Sequence, residues 1–179
     1  CTVVILDTAT RRGLVDSAYN ERREQCEAAA AFFGVELLRD VPLELFLERQ
    51  AELDELTRKR ARHVVTEDAR TLAASDAMKA GDAEAFGKRM TESHESLRDD
   101  FEVSNDALNT MVETALEHEG CLGARMTGAG FGGCAVALVK KESAGDFAGS
   151  VTRQYQEKTG LEPAVYVTPA TDGARRILL

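Results

Sequence analysis

Six consecutive residues, Gly128-Ala129-Gly130-Phe131-Gly132-Gly133, carry the densest chemical signal in this chain of 179 residues. They spell G-x-G-x-x-G, the spacing with which dinucleotide-binding folds bring backbone amides to a pyrophosphate. That chemistry needs a helix directly after the loop, because the helix N-terminus receives the anion. Here the run continues as Cys134-Ala-Val-Ala-Leu-Val139, a short valine-rich apolar stretch that has the pattern of a buried strand. The nicotinamide reading fails on that context. A Walker A loop fails too, since no Lys followed by Ser or Thr closes the run. Two uses remain open: a tight irregular turn, with glycine supplying positive φ at little steric cost, or a nest of backbone N–H groups facing an anion. Valine at position 130 separates them. If the backbone approaches a ligand, the variant is expected to stay folded and lose activity.

Other chemistry is sparse. His63, His94 and His118 stand singly on helical segments, where a structural role is the usual one, and the dipole at a helix end accounts for His118. No G-x-S-x-G occurs, and spacing selects no carboxylate pair; Asp99-Asp100 has the character of a loop between helices. Cysteines at 1, 26, 121 and 134 form no C-x-x-C and have no histidine at zinc-ligand spacing, so no metal site is expected. Buried, reduced thiols in the cytoplasm fit better, with Cys26 on an apolar helix stripe and Cys134 opening a strand.

Acids outnumber bases 31 to 22, for a net charge of −9, which disfavours nucleic acid and anionic membranes as partners. The densest basic clusters, Arg11-Arg12, Arg22-Arg23 and Arg58 to Arg62, are diluted by acids; the last suits a solvated helix face. No run reaches the length of a membrane span, and no signal peptide is expected. The chain starts at Cys1 and enters TVVIL at once, as though cut from something longer.

The elements that must position the glycine run follow from periodicity. A strand is expected over Thr2 to Thr8, then a loop containing Gly13 and the cap candidates Asp16 and Ser17. A helix from about Ala18 carries Tyr19, Cys26, Ala30 and Phe33 on its apolar stripe and ends at Gly34. A second helix follows Pro42, with Leu43, Phe46, Leu47 and Leu53 inward. The third runs from about Arg58 to Ala80, with Val65, Ala69, Leu72, Ala73 and Ala77 inward. A fourth spans Asp82 to Leu97, on Ala83, Phe86, Met90 and Leu97; a fifth starts after Ser104, on Leu108, Met111, Val112, Ala115 and Leu116. Strands at Gly123–Thr127 and Cys134–Val139 then flank the glycine loop. A helix over Ser143–Lys158 follows, then a strand at Ala164–Thr168 and a short one at Arg175–Leu179. The order predicts an α+β chain: a ferredoxin-like split β-α-β sheet whose first crossover is enlarged into a helical layer.

With the elements placed, several segments together resemble one family. GARMTGAGFGGCAVALV is similar to the third signature motif of the GHMP small-molecule kinases, which include galactokinase, homoserine, mevalonate and phosphomevalonate kinases. Arg12 to Ala29, RARHVVTE (Arg60 to Glu67) and Ser93 to Ser104 resemble the galactokinases within it. The resemblance covers the C-terminal half of such an enzyme, so residues 1–179 are expected to be one C-terminal domain whose N-terminal lobe lies elsewhere. It implies ATP- and Mg²⁺-dependent phosphorylation of the anomeric hydroxyl of α-D-galactose in the cytoplasm. By the same resemblance Tyr19 contacts the sugar, Arg11 lies near the nucleotide, and Gly128, Ala129, Gly130, Phe131, Gly132 and Gly133 border the active site. Ala129 stands where many members carry glycine. The phosphate loop, catalytic base and magnesium ligands of the family match nothing here, so no residue of this chain is expected to be catalytic. The resemblance also admits a sister kinase acting on galacturonate, arabinose or N-acetylgalactosamine, or a regulator that senses galactose and ATP without turnover.

Overall fold

The computed structural model describes residues 1–11, 16–171 and 173. The loop expected around Gly13 and the short strand expected at 175–179 lie outside the described residues. Strands β1 (Thr2–Asp7), β2 (Cys121–Met126), β3 (Cys134–Val139) and β4 (Ala164–Thr168) form one sheet in the order β2-β3-β1-β4, and each neighbouring pair is antiparallel. Each crossover therefore skips one strand and joins a parallel pair, which is the split β-α-β plan. Between β1 and β2 come α1 (Asp16–Phe33), α2 (Leu43–Arg49), α3 (Glu55–Ala80), α4 (Ala83–Asp99) and α5 (Asp106–Leu116); α6 (Ala144–Thr159) links β3 to β4. The expected helical layer is present.

Strand alternation divides the sheet into two faces. Val4 and Leu6 of β1, Ala124 and Met126 of β2, and Ala135, Ala137 and Val139 of β3 all point one way and are buried. They meet Leu108, Met111, Val112 and Ala115 of α5 and Phe147, Val151 and Tyr155 of α6 in one apolar core. The helical spacing of these residues on α5 is what the sequence predicts, except that Leu116 falls at the exposed margin.

The opposite face is covered at its β2 edge by α4, with α3 outside α4 and α1 outside α3. Here backbone meets backbone. A Cβ on Gly87 would lie 2.1 Å from the Leu122 carbonyl oxygen, and one on Gly123 only 1.9 Å from the carbonyl of Gly87. A register shift between Cys121 and Gly123 falls at this contact. Consequently the buried positions of α4 are Gly87, Ser93, His94 and Ser96. The apolar line expected through Ala83, Phe86, Met90 and Leu97 is only half-buried.

A second, smaller core lies within the helical layer: Ala29, Ala30 and Phe33 of α1 with Leu38, Val41, Phe46, Leu53, Ala61 and Val65. Three expectations are corrected here. Leu47 is exposed, and on α3 the inward line stops at Val65, leaving Leu72 63% exposed and Ala73 also in solvent. The second half of α3 meets α4 through the face that carries Glu67, Arg70 and Ala74, so the line through Leu72 and Ala73 points away from that contact. Tyr19 also leaves the stripe and is 63% exposed, because α1 reaches beyond the helical core at its N-terminal end.

Candidate functional site

The glycine run lies between β2 and β3. Gly128, Gly130, Phe131, Gly132 and Gly133 all have positive φ, from 61° to 134°. The loop is tied on two sides. Phe131 N–H donates to the Val103 carbonyl at 2.7 Å, on the segment between α4 and α5. Gly133 N–H donates to Thr10 O at 3.2 Å, and Gly133 O accepts from Thr8 N–H at 3.0 Å and Thr8 Oγ1 at 2.6 Å, beyond the end of β1. The Tyr155 hydroxyl braces that end of β1 from below by donating to Thr8 O at 3.0 Å.

Gly130 is fixed by contact as well as by conformation. Its φ is +86°, and a Cβ there would sit 2.0 Å from Val103 O. That position therefore has an architectural reason for glycine, and a side chain at 130 would meet protein backbone. The folded but inactive Gly130→Val variant expected from sequence is replaced by a variant that also loses stability. Toward solvent the loop is different. Gly128 and Ala129 are exposed, and among the described residues no backbone acceptor takes their N–H groups. The turn and the open amides thus belong to different parts of one loop.

Those exposed residues line a cleft of about 320 Å³, within the usual range for small-molecule sites. Gly128, Ala129 and Phe131 form one side; Tyr19, Arg22, Arg23 and Cys26 of α1 form the other; Leu97, Phe101 and Val103 form the floor. Tyr19 and the glycine run, more than a hundred positions apart in the chain, share one concavity. Arg11 is exposed beside Gly132, whose missing side chain lies 3.7 Å from the Arg11 carbonyl carbon, but it is outside the lining of this cleft.

Sequence reasoning passed over Arg22, Phe101 and Val103. In the sequence Arg22 stands in a basic pair with Arg23 within the Arg12 to Ala29 resemblance. Phe101 follows Asp99-Asp100 in an expected interhelical loop, and Val103 lies in the Ser93 to Ser104 resemblance, none of the three with a role of its own. In the structure Arg22 Nε donates to Phe101 O at 2.6 Å and its Nη2 to Glu102 O at 3.1 Å, joining α1 to the floor. Burial, followed by the nearby charge of Arg60, draws the Arg22 guanidinium below its ordinary pKa. Cys26 is pushed up by burial, which keeps its thiol protonated.

Beneath the floor lies a polar seam. Arg60 is 2% exposed and corrects the expectation of a solvated face over Arg58 to Arg62. His63 Nδ1 lies 3.0 Å from Ser96 Oγ, and its ring stacks on Phe101 with centroids 4.5 Å apart. His94 Nδ1 accepts from Met126 N–H at 3.2 Å, an outward amide of the edge strand β2. Burial lowers both histidines to about 4, so both are neutral at pH 7. His118 does more than face a helix dipole: Gly120 N–H donates to its Nδ1, and its Nε2 lies 3.1 Å from Asp146 Oδ2, bridging to α6.

The cleft offers a ligand the Tyr19 hydroxyl and the open amides of Gly128 and Ala129 over an apolar floor. Positive charge stands at its edge from Arg22, held by the Phe101 and Glu102 carbonyls, and from Arg23, paired with Glu27 Oε1 at 2.7 Å. Among the described residues no three of His, Cys, Asp or Glu gather to hold a metal. Among the described residues no helix is long and apolar enough to cross a membrane.

Residues 74–157 match the family model of the GHMP kinases C terminal. The chain is similar to the crystal structure of Lactococcus lactis galactokinase complexed with galactose, at 40% identity and a TM-score of 0.89, over 94% of this chain and 45% of that one. The structure of L. major mevalonate kinase in complex with R-mevalonate shares the fold, at 20% identity and a TM-score of 0.58, over 97% of this chain and 43% of that one. The chain spans less than half the length of either. Its split sheet, its glycine-rich loop between β2 and β3, and these matches together show that it belongs to the GHMP kinases, as their C-terminal domain.

Proposed function

We propose that the intact protein is a galactokinase that transfers the γ-phosphate of ATP to the C1 hydroxyl of α-D-galactose. In this reading residues 1–179 form one wall of the site, and an N-terminal lobe in the cytoplasmic enzyme supplies the rest. The observation that carries it is the convergence of Tyr19 and the glycine run on one cleft, in a chain 40% identical to a galactokinase crystallised with galactose.

Phosphoryl transfer asks a protein mainly for positioning and for electrostatic stabilisation of the phosphoryl oxygens. The Tyr19 hydroxyl can donate to or accept from a sugar hydroxyl. The exposed amides of Gly128 and Ala129, with Arg22 and Arg23 opposite, favour anionic oxygens at the loop. Arg11, whose backbone runs beside Gly132, is assigned in this reading to the neighbourhood of the nucleotide. The described residues do not assemble a magnesium site, so no step is assigned to the metal on this chain. Among the described residues the cleft lining contains no carboxylate or histidine; in this reading the base that takes the C1 proton is supplied by the other lobe.

Coupled measurement of ADP release from the intact protein with MgATP tests the reading. Galactose-dependent turnover is expected, exceeding turnover with galacturonate, arabinose or N-acetylgalactosamine. Preference for one of those sugars, or binding of galactose and ATP without turnover, overturns it. Residues 1–179 alone are expected to give no turnover. Tyr19→Phe should raise the galactose KM more than the ATP KM, by about two- to tenfold, as expected for roughly 0.5–1.5 kcal/mol from one neutral hydrogen bond. An unchanged galactose KM would remove Tyr19 from the sugar site.

A further inference from the structure

Arg60 lines no part of the cleft, yet it touches what holds each of its sides. It is the largest fully buried side chain among the described residues. Its Nε donates to Gln25 Oε1 of α1 at 3.0 Å, its Nη1 to Asp100 O at 2.5 Å and its Nη2 to Glu102 Oε2 at 2.7 Å. A buried guanidinium is tolerated only with such a full set of partners. One partner lies on the helix that carries Tyr19; the other two lie on the segment that forms the cleft floor.

The third of these contacts, with Glu102, leads to the glycine run. Glu102 has φ +53°, a left-handed conformation unusual for a residue other than glycine, so its surroundings must hold it there. The holding groups are Arg60, Lys59 Nζ at 3.3 Å from Glu102 Oε1, and Arg22 on the backbone carbonyl. Arg60 is also the main reason the Glu102 carboxyl stays ionised below its ordinary range. The turn at Glu102 aims the next carbonyl, Val103 O, at the loop. It accepts from Phe131 N–H at 2.7 Å and fills the space left by the missing side chain of Gly130.

We propose that Arg60 is a positioning residue for the cleft. Through Glu102 and Val103 it sets where the glycine-rich loop stands, and through Gln25 it sets the distance of that loop from Tyr19. The guanidinium fork matters here, because three acceptors lie in different directions and a lysine ammonium on a flexible stem cannot reproduce the arrangement. The consequence for turnover rests on the cleft being the substrate site; the consequence for the loop does not.

The test uses the intact protein with Arg60→Lys and, in case that variant fails to fold, Glu102→Gly. Glycine accepts the left-handed backbone at 102 while removing the carboxylate that Arg60 holds. Amide hydrogen exchange is followed at residues 127–133 and on β1 and β3. Loss of one charge-assisted hydrogen bond corresponds to roughly tenfold to a hundredfold faster exchange, expected at the Phe131 amide with β1 and β3 unchanged in at least one folded variant. Uniformly faster exchange in both elements, or an unchanged Phe131 amide, overturns the proposal by leaving Arg60 a general stabiliser. If the protein phosphorylates galactose, kcat should fall about tenfold or more with Tyr19 intact, since misplacement of a loop acts on the transition state. A rise in KM alone would contradict positioning. Absence of galactose turnover in the wild type would count against the proposed function and leave the exchange result to decide the role of Arg60.

Discussion

The two faces of the sheet are covered by different means. On one, α5 and α6 meet the strands through large apolar side chains, among them Met111, Phe147 and Tyr155. On the other, α4 approaches β2 until the backbones of Gly87 and Gly123 touch, and farther along α4 His94 accepts from Met126 N–H of β2 while Ser93 Oγ donates to Glu67 Oε1 of α3 at 2.5 Å. The apolar face is held by area and tolerates rearrangement, because many weak contacts share the load. The α4 face is held by a few directed contacts at fixed distances, each of which has no substitute. The cleft stands at the end of the second kind of face, where α4 leads into Phe101, Glu102 and Val103. Placing a loop to within a fraction of an ångström suits directed contacts better than dispersion.

The largest effect that would break this contrast belongs to Gly87. Valine there puts two more heavy atoms beyond a Cβ that already overlaps the Leu122 carbonyl. Destabilisation above about 4 kcal/mol, in the exceptional range for single substitutions, is expected in denaturant melts. A mild loss would show that α4 can lift from β2. Gly130→Ala comes second, combining left-handed strain of about 1–2 kcal/mol with a methyl 2.0 Å from Val103 O. The expected total is about 2–4 kcal/mol, read as a fall in the denaturant midpoint. If stability held while activity vanished, the loop's glycine would serve the ligand and not the fold.

Acid should act on the same face. His94 titrates near 6.5 when unfolded and at about 4 when folded, lowered mainly by burial and then by Arg98 and Arg125. Between those values the unfolded chain binds a proton that the folded one does not. Stability from this group is therefore complete above pH 6.5, falls as pH drops toward 4, and changes no further below it. The full window is worth up to about 3 kcal/mol, and His63 adds in the same direction. Stability measured against pH in the wild type and in His94→Gln should show a shallower slope in the variant. Equal slopes would take His94 out of the acid response. The smallest effect is expected on the apolar face, where Met111→Leu keeps volume and should cost less than about 1.5 kcal/mol. A larger loss there would mean that this face, too, depends on shape.

Legibility followed the same division. Apolar spacing located α5 and α6, and a valine-rich apolar run after the glycines and a short run ending before Pro169 placed β3 and β4 at the bounds observed. The glycine run was visible because its composition has few uses. By contrast Gly87 was one glycine inside a helical pattern, Arg60 one arginine in a basic cluster, and Leu72 one leucine in phase with Val65.

By itself, then, the sequence determined which segments are helices and strands, the split β-α-β order, and where a glycine-dependent loop must stand, because propensity and periodicity act over a few residues. Only the tertiary structure decided which of those periodic faces found a neighbour. It buried Arg60, whose acceptors lie 35 to 42 positions away, and left Leu72 in solvent. It also turned Tyr19 from a stripe residue into the wall of a cleft shared with Gly128 and Phe131. Burial of a charge is favourable only when partners from several segments arrive together, and that arrival is a property of the packed chain.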